Sequence, residues 1–470
     1  MADKHKLWGA AFSKAPNEVA WRFGQSIESD LNLLNEEIQV SIVHAQTLAQ
    51  AGILSKEECQ EVVAGLQAVR SDLSVGSVRS DISGFEDIHA LIEAKLKEKV
   101  GVLADKLHAG RSRNDQIVTV TTLWVRHRIR DLWDGLEEFQ KVIVEVGERW
   151  IDEPMPGYTH QQTAQPITLG YHLLAYAWMA ESDFQRLTDL YGRLRSPLGS
   201  GALAGSTLPL DRHFAAESLD MMPVSHALDA VSSRDFVGDM LHACATVMQH
   251  LSRLAQELVL FSTAEFDFVR LDDSMSTGSS IMPQKRNPDF AELIRGRSSR
   301  ALGNYVTFMS MMRALPLGYN RDQQDDKPPL FDSVGLCLES LSLCTEMIRT
   351  AEWNLPRLKQ MATAKFSTAT AIAEALVLEG LPFRQAHEAV GKTVIYCEQH
   401  SKALADLEQS DADALGLSLA ALRAGTLESA LDGKQTYGSP GKVPRRQLLH
   451  ETKQILNASL PDLEDPDTIS

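Results

Sequence analysis

The chain has few cysteines, no long apolar run and no basic tract, and each shortage excludes a class of protein. Its five cysteines are odd in number, scattered and without a C-x-x-C pair, which predicts reduced thiols in a cytoplasmic protein. No uninterrupted apolar stretch reaches membrane length, and the first residues lack the apolar core of a secretion signal. We therefore expect no membrane association.

Nucleic acid, metals and cofactors are also poorly supported by the sequence. The net charge of -17, without any Lys/Arg-rich run, predicts repulsion of nucleic-acid phosphates. Zinc-ligand spacings, H-E-x-x-H and G-x-S-x-G are missing, and "GSGALA" (199–204) fits the loose dinucleotide fingerprint without a buried strand before it. We expect no nucleic-acid partner, metal or cofactor.

Helical periodicity dominates what is present. Of the 470 residues, 44% are apolar and 23% charged, which is typical of a globular protein. Long apolar stripes at helical spacing run through 129–146, 173–194, 236–261, 290–315 and 331–348. They predict an all-α protein with three domains: a mostly helical N-terminal domain over 1–111, a central long-helix bundle over 112–364 and a small helical C-terminal domain over 365–470. The last residues, 462–470, read as a frayed acidic tail.

The breaks between these helices hold many polar side chains, and "TGSSIMPQKRNPD" (277–289) is the most unusual of them. A bare G-S-S is commonly a connector between helices. Here Lys285 and Asn287 follow on a proline-stiffened segment, ahead of a helix that we expect to start near Asp289. Backbone amides of a glycine turn can form an anion nest, so an alkoxide of Ser279 could be stabilised there.

This string resembles the signature G-S-S-x-M-P-x-K-x-N of the fumarase/aspartase superfamily, whose members eliminate fumarate from succinyl compounds. "KLHAGRSRNDQ" (106–116) and "PGYTHQQTAQP" (156–166) resemble two further shared regions in the expected order. Within the superfamily, "EDIHALIEAKL", "SPLGSGALAG", "LPLGYNRDQQDDKPPLFD" and "GLPFRQAHEAVGK" are similar to the argininosuccinate lyase family, over nearly the whole chain. The resemblance implies a homotetramer whose active sites are shared between subunits.

The resemblance also implies roles for particular side chains. Ser279 is the general base on a mobile loop, and Lys285 and Asn287 stabilise the developing charge. Carboxylates of the substrate are held by Ser112, Arg113 and Asn114. Thr159 and His160 face the fumaroyl part, and His160 is the candidate general acid. The arginine-like half is assigned to Ser26, Asp30, Asp87, His89, Arg234, Tyr319, Gln324 and Lys327.

The leading interpretation is a cofactor-free lyase of arginine biosynthesis that cleaves argininosuccinate reversibly to arginine and fumarate. The chain departs from the family at "WGAAF" (8–12) and "HQQTA" (160–164), where two arginines are missing. A lyase that releases fumarate from another N-succinyl amino compound, such as an aminopolycarboxylate, therefore stays open, as does an inactive protein that kept the fold. Taken singly, Arg113 and Asp30 could be surface ion-pair partners and His160 an ordinary loop histidine.

Overall fold

The computed structural model describes residues 17–74, 82 and 84–457. The segment "WGAAF" and the acidic tail at 462–470 lie outside the described residues. Within these ranges the protein is helical with little strand, which confirms the all-α prediction.

The helices vary widely in length. In chain order they are α1 (Glu18–Gly24), α2 (Ile27–Asp30), α3 (Leu34–Gln50), α4 (Lys56–Ser74), α5 (Ile88–Val100), α6 (Arg113–Arg149), α7 (Leu169–Arg193), α8 (Arg212–Glu217), α9 (Ala227–Ser232), α10 (Asp235–Phe261), α11 (Asp289–Met312), α12 (Lys327–Thr350), α13 (Leu355–Ala362), α14 (Ala369–Leu378), α15 (Phe383–His400), α16 (Gln409–Leu415), α17 (Leu419–Arg423), α18 (Leu427–Asp432) and α19 (Lys442–Asn457). The five predicted long helices correspond to α6, α7, α10, α11 and α12, and α11 begins at Asp289 as expected. Among the described helices, none is both long and apolar enough to cross a bilayer.

The strands are short and form two-stranded sheets. They are β1 (Pro154–Thr159), β2 (Gln162–Thr168), β3 (Arg195–Ser196), β4 (Met222–Pro223), β5 (Val269–Arg270) and β6 (Glu352–Trp353). Pairs β1–β2 and β5–β6 are antiparallel, and β3–β4 is parallel. The β1–β2 hairpin was not predicted from the sequence.

The chain divides into two compact units. Of the described residues, those within 1–133, 185–248 and 297–338 form unit 1, and those within 134–184, 249–296 and 339–470 form unit 2. The boundaries of these units differ from those of the three sequence domains, whose division stays a prediction.

In unit 1 the N-terminal helices α3, α4 and α5 pack around one apolar core. Ile38 and Leu48 of α3, Leu66 of α4 and Leu91 of α5 are fully buried there. At Gly65 a Cβ atom would lie 2.7 Å from Val100 Cγ1, so this glycine lets α4 approach α5 closely. This core supports the first turn of α5 and the start of α6, which carry several of the candidate site residues.

In unit 2 the β1–β2 hairpin is anchored by aromatic packing. The centroid of the Tyr158 ring lies 5.9 Å from that of Phe266 and 6.5 Å from that of Phe268. Phe268 directly precedes β5, and the Gly-Ser-Ser segment follows a few residues later. A second core in this unit joins α14, α15, α16 and α17.

Candidate active site

Unit 1 contains a polar cavity of ≈ 290 Å³, close to the lower end of the range usual for small-molecule sites. Several residues that the resemblance assigns to the substrate lie around it. They are Ser26, Asp30, Asp87, His89, Arg113, Asn114, Tyr319, Gln324 and Lys327. These positions are far apart in the sequence, so folding assembles the predicted set for the arginine-like half, except Arg234, and part of the set for the carboxylates.

One wall of the cavity is the first turn of α5. Asp87 is the N-cap of this helix, and its Oδ1 accepts a hydrogen bond of 2.7 Å from the backbone amide of Ala90. Capping an otherwise unpaired helix amide in this way stabilises the helix start. Because Asp87 and His89 lie within the same turn, the cap places both side chains at the cavity.

A second wall is the start of α6, where Ser112, Arg113 and Asn114 are held by a buried carboxylate. Asp115 is fully buried, and its Oδ1 accepts from the backbone amide of Ser112 at 2.9 Å. Its Oδ2 accepts from the amides of Gly199 at 3.0 Å and Gly201 at 2.9 Å. Both glycines have positive φ, a conformation that favours glycine.

The "GSGALA" segment therefore has a structural role that sequence reasoning missed. It supplies the two amides that hold Asp115 and, through it, the beginning of α6. The signal in the sequence was the Gly-x-Gly spacing, which was considered as a nucleotide fingerprint and as part of a family-like segment but not as an anchor for a carboxylate. The hydrogen bonds of Asp115 to these amides therefore help to fix the backbone of Ser112, Arg113 and Asn114.

Arg113 is surrounded by acceptors on the protein side. Its Nη1 donates to Glu93 Oε1 at 2.9 Å and to Gln116 Oε1 at 2.8 Å, while its Nε lies 3.6 Å from Asp87 Oδ2. Burial alone lowers the pKa of Arg113, but Asp87 and Glu93 raise it above its ordinary value. The guanidinium at the cavity is thus a permanent cation in a fixed orientation, suited to clamp a carboxylate.

Glu93 was not predicted from the sequence, although it lies in the "EDIHALIEAKL" segment. Burial raises the pKa of Glu93, but a hydrogen bond from His108 and the charges of Arg113 and Arg111 lower it to about 2. Glu93 therefore carries a negative charge at every physiological pH and fixes the position of Arg113. Of the residues that line the cavity, three polar ones were also missed, namely Glu86, His108 and Arg321.

Asp30 and Lys327 face the cavity from another side. Ser26 donates its hydroxyl to Asp30 Oδ2 at 2.6 Å, and Lys327 Nζ lies 3.8 Å from Asp30 Oδ1. Asp30 is 1% exposed, which is incompatible with the surface ion pair considered from the sequence. Burial raises the pKa of Asp30, while Lys327 and Ser26 oppose this rise. Oδ1 has no hydrogen-bond partner among the described residues, so an acceptor is available for a ligand.

The segment 318–327 completes this side. Gln324 Nε2 donates to the backbone carbonyl of Gly24 at 3.3 Å, and burial raises the pKa of Tyr319, which keeps its phenol neutral. Arg321 donates to the same carbonyl at 2.5 Å and to Glu86 Oε1 at 2.8 Å. Arg234 is buried and does not line the cavity, but it pairs with Asp326, which lies 3.8 Å from Lys327.

In unit 2 the Gly-Ser-Ser segment forms a loop that is closed at its base. Thr277 and Asn287 exchange two backbone hydrogen bonds of 3.1 Å and 2.8 Å. Ser279 Oγ accepts from the amides of Ile281 at 3.3 Å and Met282 at 3.1 Å. Two amide donors on one hydroxyl oxygen favour its negatively charged form.

The loop beyond this contact is open to solvent. Lys285 is exposed, and so is Ile281, with 82% of its surface accessible. Asn287 is half-buried, and its amide nitrogen lies 3.5 Å from the carbonyl oxygen of Gly278. The neighbouring Met282 is also exposed, so two apolar side chains of this loop face solvent.

Thr159 and His160 lie at the exposed end of the β1–β2 hairpin. The two-residue turn consists of His160 and Gln161, both with positive φ, at 54° and 57°. Two-residue hairpin turns commonly use Asn-Gly for this conformation, and each residue with a bulkier side chain costs about 1–3 kcal/mol there. Such strain is often kept at functional sites, which supports the assignment of His160.

The predicted residues thus fall into three groups. Nine line the cavity of unit 1, Ser279, Lys285 and Asn287 lie on the unit 2 loop, and Thr159 and His160 lie on the hairpin. Ser112 is the chain neighbour of Arg113, which belongs to the first group. Arg234 is linked to that group through its ion pair with Asp326, which lies next to Lys327. In the described ranges, no group of three or more His, Cys, Asp or Glu side chains is placed to hold a metal ion.

Two family models match this sequence. The model described as "Lyase" matches residues 11–303, and the model described as "Argininosuccinate lyase C-terminal" matches residues 366–434. The sequence is 47% identical to argininosuccinate lyase of Exiguobacterium sibiricum over 86% of this chain and 88% of the relative. It is 44% identical to argininosuccinate lyase of Geobacillus kaustophilus over 96% and 99%.

The structure is similar to those of other lyases. EDDS lyase in complex with formate superimposes with a TM-score of 0.81 at 26% identity, covering 93% of this chain and 89% of that one. Class II fumarase from Schistosoma mansoni superimposes with a TM-score of 0.72 at 17% identity, covering 86% and 90%. The second likeness concerns the fold alone.

Proposed function

This chain belongs to the argininosuccinate lyase family, and from that membership we propose that it cleaves argininosuccinate reversibly to arginine and fumarate. The observation that carries the proposal is the cavity of unit 1. It gathers nine side chains of the predicted types, with an acceptor at Asp30 and a cationic clamp at Arg113. A substrate with an amino-acid end and carboxylates matches this charge distribution.

The chemical step is an elimination. Ser279 takes the proton from the Cβ atom of the succinyl group, the electron pair of that C–H bond forms the new C=C bond, and the C–N bond to the guanidino nitrogen breaks. A general acid protonates the leaving guanidino nitrogen, and the products are fumarate and arginine. We assign this acid to His160. The amides of Ile281 and Met282 support the role of Ser279 by stabilising its oxygen.

Removal of a weakly acidic Cβ proton also requires stabilisation of the adjacent carboxylate as it gains charge. We assign this to Lys285 and Asn287, an oxyanion-hole role typically worth several kcal/mol. Ser112, Arg113, Asn114 and Thr159 hold the carboxylates of the succinyl part in this proposal. The guanidinium of Arg113 suits it because its protein contacts fix the plane of the fork.

For the arginine part, we propose that the buried acceptor of Asp30 receives the amino group. Lys327, 3.8 Å away, then binds the neighbouring carboxylate. Ser26, Asp87, His89, Tyr319 and Gln324 surround this end, and Arg234 supports it through Asp326.

We further propose that the active protein is a homotetramer with shared sites. One feature supports this: α11 carries an exposed apolar face. On that face Leu302, Val306 and Met309 are each at least 50% exposed and lie at helical spacing. A cytoplasmic location is also proposed, since all five cysteines are free and buried.

The test is fumarate release from a panel of N-succinyl amino compounds that includes argininosuccinate and an aminopolycarboxylate. We expect argininosuccinate to give the highest kcat/KM by at least about tenfold. Faster cleavage of the aminopolycarboxylate would reassign the substrate and keep the elimination, an outcome not favoured by the 44–47% identity to argininosuccinate lyases. No fumarate from any member would support the inactive-protein interpretation.

A further inference from the structure

We propose that Glu37, a fully buried residue of α3, is a positioning residue for substrate recognition that holds His89 directly and Arg113 through Gln116. This inference rests on the proposed function for its kinetic test. Glu37 does not line the cavity, and nothing in the sequence motifs singles it out. It lies where side chains from α3, α5 and α6 meet.

Both carboxylate oxygens of Glu37 are fully engaged. Oε2 lies 2.6 Å from His89 Nδ1, and Oε1 accepts from Gln116 Nε2 at 2.5 Å and from the Ser41 hydroxyl at 2.9 Å. Burial alone raises the pKa of Glu37, but His89 and Arg111 hold it below its ordinary value. Glu37 is therefore a carboxylate whose hydrogen-bond directions are fixed.

The first consequence concerns the tautomer of His89. An ionised carboxylate can only accept hydrogen bonds, so Nδ1 of His89 must carry a proton. The other ring nitrogen, Nε2, is buried and has no hydrogen-bond partner among the residues that the structure describes, while the ring lines the cavity. A buried, unpaired polar atom at a cavity wall is available to a ligand. By pairing with Nδ1 of His89, Glu37 leaves Nε2 as the ring nitrogen that can meet the ligand.

The second consequence concerns Arg113. Gln116 donates to Glu37 with its amide nitrogen, which leaves its amide oxygen to accept from Arg113 Nη1 at 2.8 Å. A glutamine can satisfy both contacts in only one orientation of its amide. Glu37 thus fixes that orientation, and the contact helps to hold the guanidinium that we assign to a substrate carboxylate.

The neighbouring Glu36 shows what a purely structural glutamate–histidine pair looks like in the same helix. Glu36 Oε1 lies 2.9 Å from His127 Nδ1, and both residues are largely buried. His127 does not line the cavity, so this pair has no route to the substrate. Glu36→Gln is therefore a matched control for Glu37→Gln.

The test compares steady-state cleavage of argininosuccinate by the full-length wild type, Glu37→Gln and Glu36→Gln. We expect Glu37→Gln to raise KM about tenfold while kcat changes less than about threefold, because binding groups are misplaced and Ser279 is untouched. Glu36→Gln should keep KM within about twofold. An unchanged KM in a folded Glu37→Gln protein, or equal changes in both variants, would overturn the inference.

A second measurement does not depend on turnover. Solid-state ¹⁵N spectra of histidine-labelled protein, with His89 assigned by its loss in His89→Asn, should show a protonated Nδ1 in the wild type. In Glu37→Gln we expect the proton to move to Nε2 at high pH, since the new amide can donate to Nδ1. An identical His89 signal in both proteins contradicts the inference. If the wild type releases no fumarate, the proposed function fails and this spectrum still decides the role of Glu37.

Discussion

Arg234 Nε donates to Asp326 Oδ2 at 3.0 Å, in a place where both side chains are almost fully buried. Asp326 also lies 3.8 Å from Lys327, which in turn lies 3.8 Å from Asp30 at the cavity. Arg234 further donates to the carbonyls of Ser233 and Val231. A chain of alternating charges thus leads from the interior of unit 1 to the candidate site.

Breaking this pair should destabilise the protein strongly. Asp326→Asn leaves the buried guanidinium without its counter-charge, and such a loss typically costs about 3–5 kcal/mol of the free energy of unfolding. Asp239→Asn is the matched control, since Asp239 pairs with Arg193 at 2.7 Å on an exposed surface and such pairs contribute about 0–1 kcal/mol. Urea titrations of both variants measure the difference, and equal losses would refute the argument.

The fold was largely predictable because its helices are long and amphipathic. Helices α6, α7, α10, α11 and α12 each repeat their apolar spacing over several turns, so the signal is strong. The β1–β2 hairpin was not predictable, because its turn uses His160 and Gln161 instead of a recognisable glycine turn. Its position depends on the packing of Tyr158 against Phe266, which is distant in sequence.

The candidate site was predictable only where it lies in motifs. Ser279, Arg113 and His160 stand in recognisable strings, whereas Glu37 lies outside them and Asp115, although it lies within one, acts through distant backbone amides. Asp115 binds amides that lie 84 and 86 residues away, and no local pattern encodes such a contact. Residues of this kind become visible only once the chain has folded.

Ser279→Ala should abolish turnover and leave substrate binding nearly intact. The hydroxyl acts on the proton in the transition state, so its loss should lower kcat by at least about 10³-fold while the dissociation constant changes only a few-fold. Calorimetric titration with argininosuccinate measures the second quantity. Ser280→Ala, at the adjacent serine, should keep an activity far above that of Ser279→Ala. Near-native turnover of Ser279→Ala would remove this residue as the base.

Arg113→Lys should lower kcat/KM by about 100-fold. A lysine keeps the charge but cannot reproduce the planar fork, nor the two contacts of Nη1 with Glu93 and Gln116. Arg128→Lys, at a partly exposed ion pair with Asp131 later in the same helix, is the control and should change little. Similar kinetics for both variants would mean that Arg113 lies outside the working site.

His44 should make the protein less stable in acid. Burial, together with the nearby Arg111, lowers the pKa of His44 to about 3, and its Nε2 lies 3.0 Å from the carbonyl oxygen of Ala109. The folded protein therefore keeps the ring neutral, whereas the unfolded chain takes up a proton below its ordinary pKa of about 6.5. Stability from this group is fully present above pH 6.5 and is lost as the pH falls toward 3.

The variant His44→Gln isolates this contribution, because glutamine can still donate to Ala109 but does not titrate. Between pH 7 and pH 5 the free energy of unfolding should fall by about 2 kcal/mol less in the variant than in the wild type. Urea titrations at the two pH values measure it. An identical pH dependence in the two proteins would show that His44 is protonated in the folded state as well.

The proposed shared site predicts that two inactive variants restore each other. Ser279→Ala lacks the base, and His160→Asn lacks the acid, which lies at the strained turn of the hairpin. If each site takes its serine from one copy and its histidine from another, tetramers reassembled from an equal mixture should contain sites with both groups. Because each contribution is intact with a chance of about one half, about a quarter of the wild-type activity should return. Mixed tetramers confirmed by native mass spectrometry that show no more activity than the parents would place Ser279 and His160 of one site in a single chain.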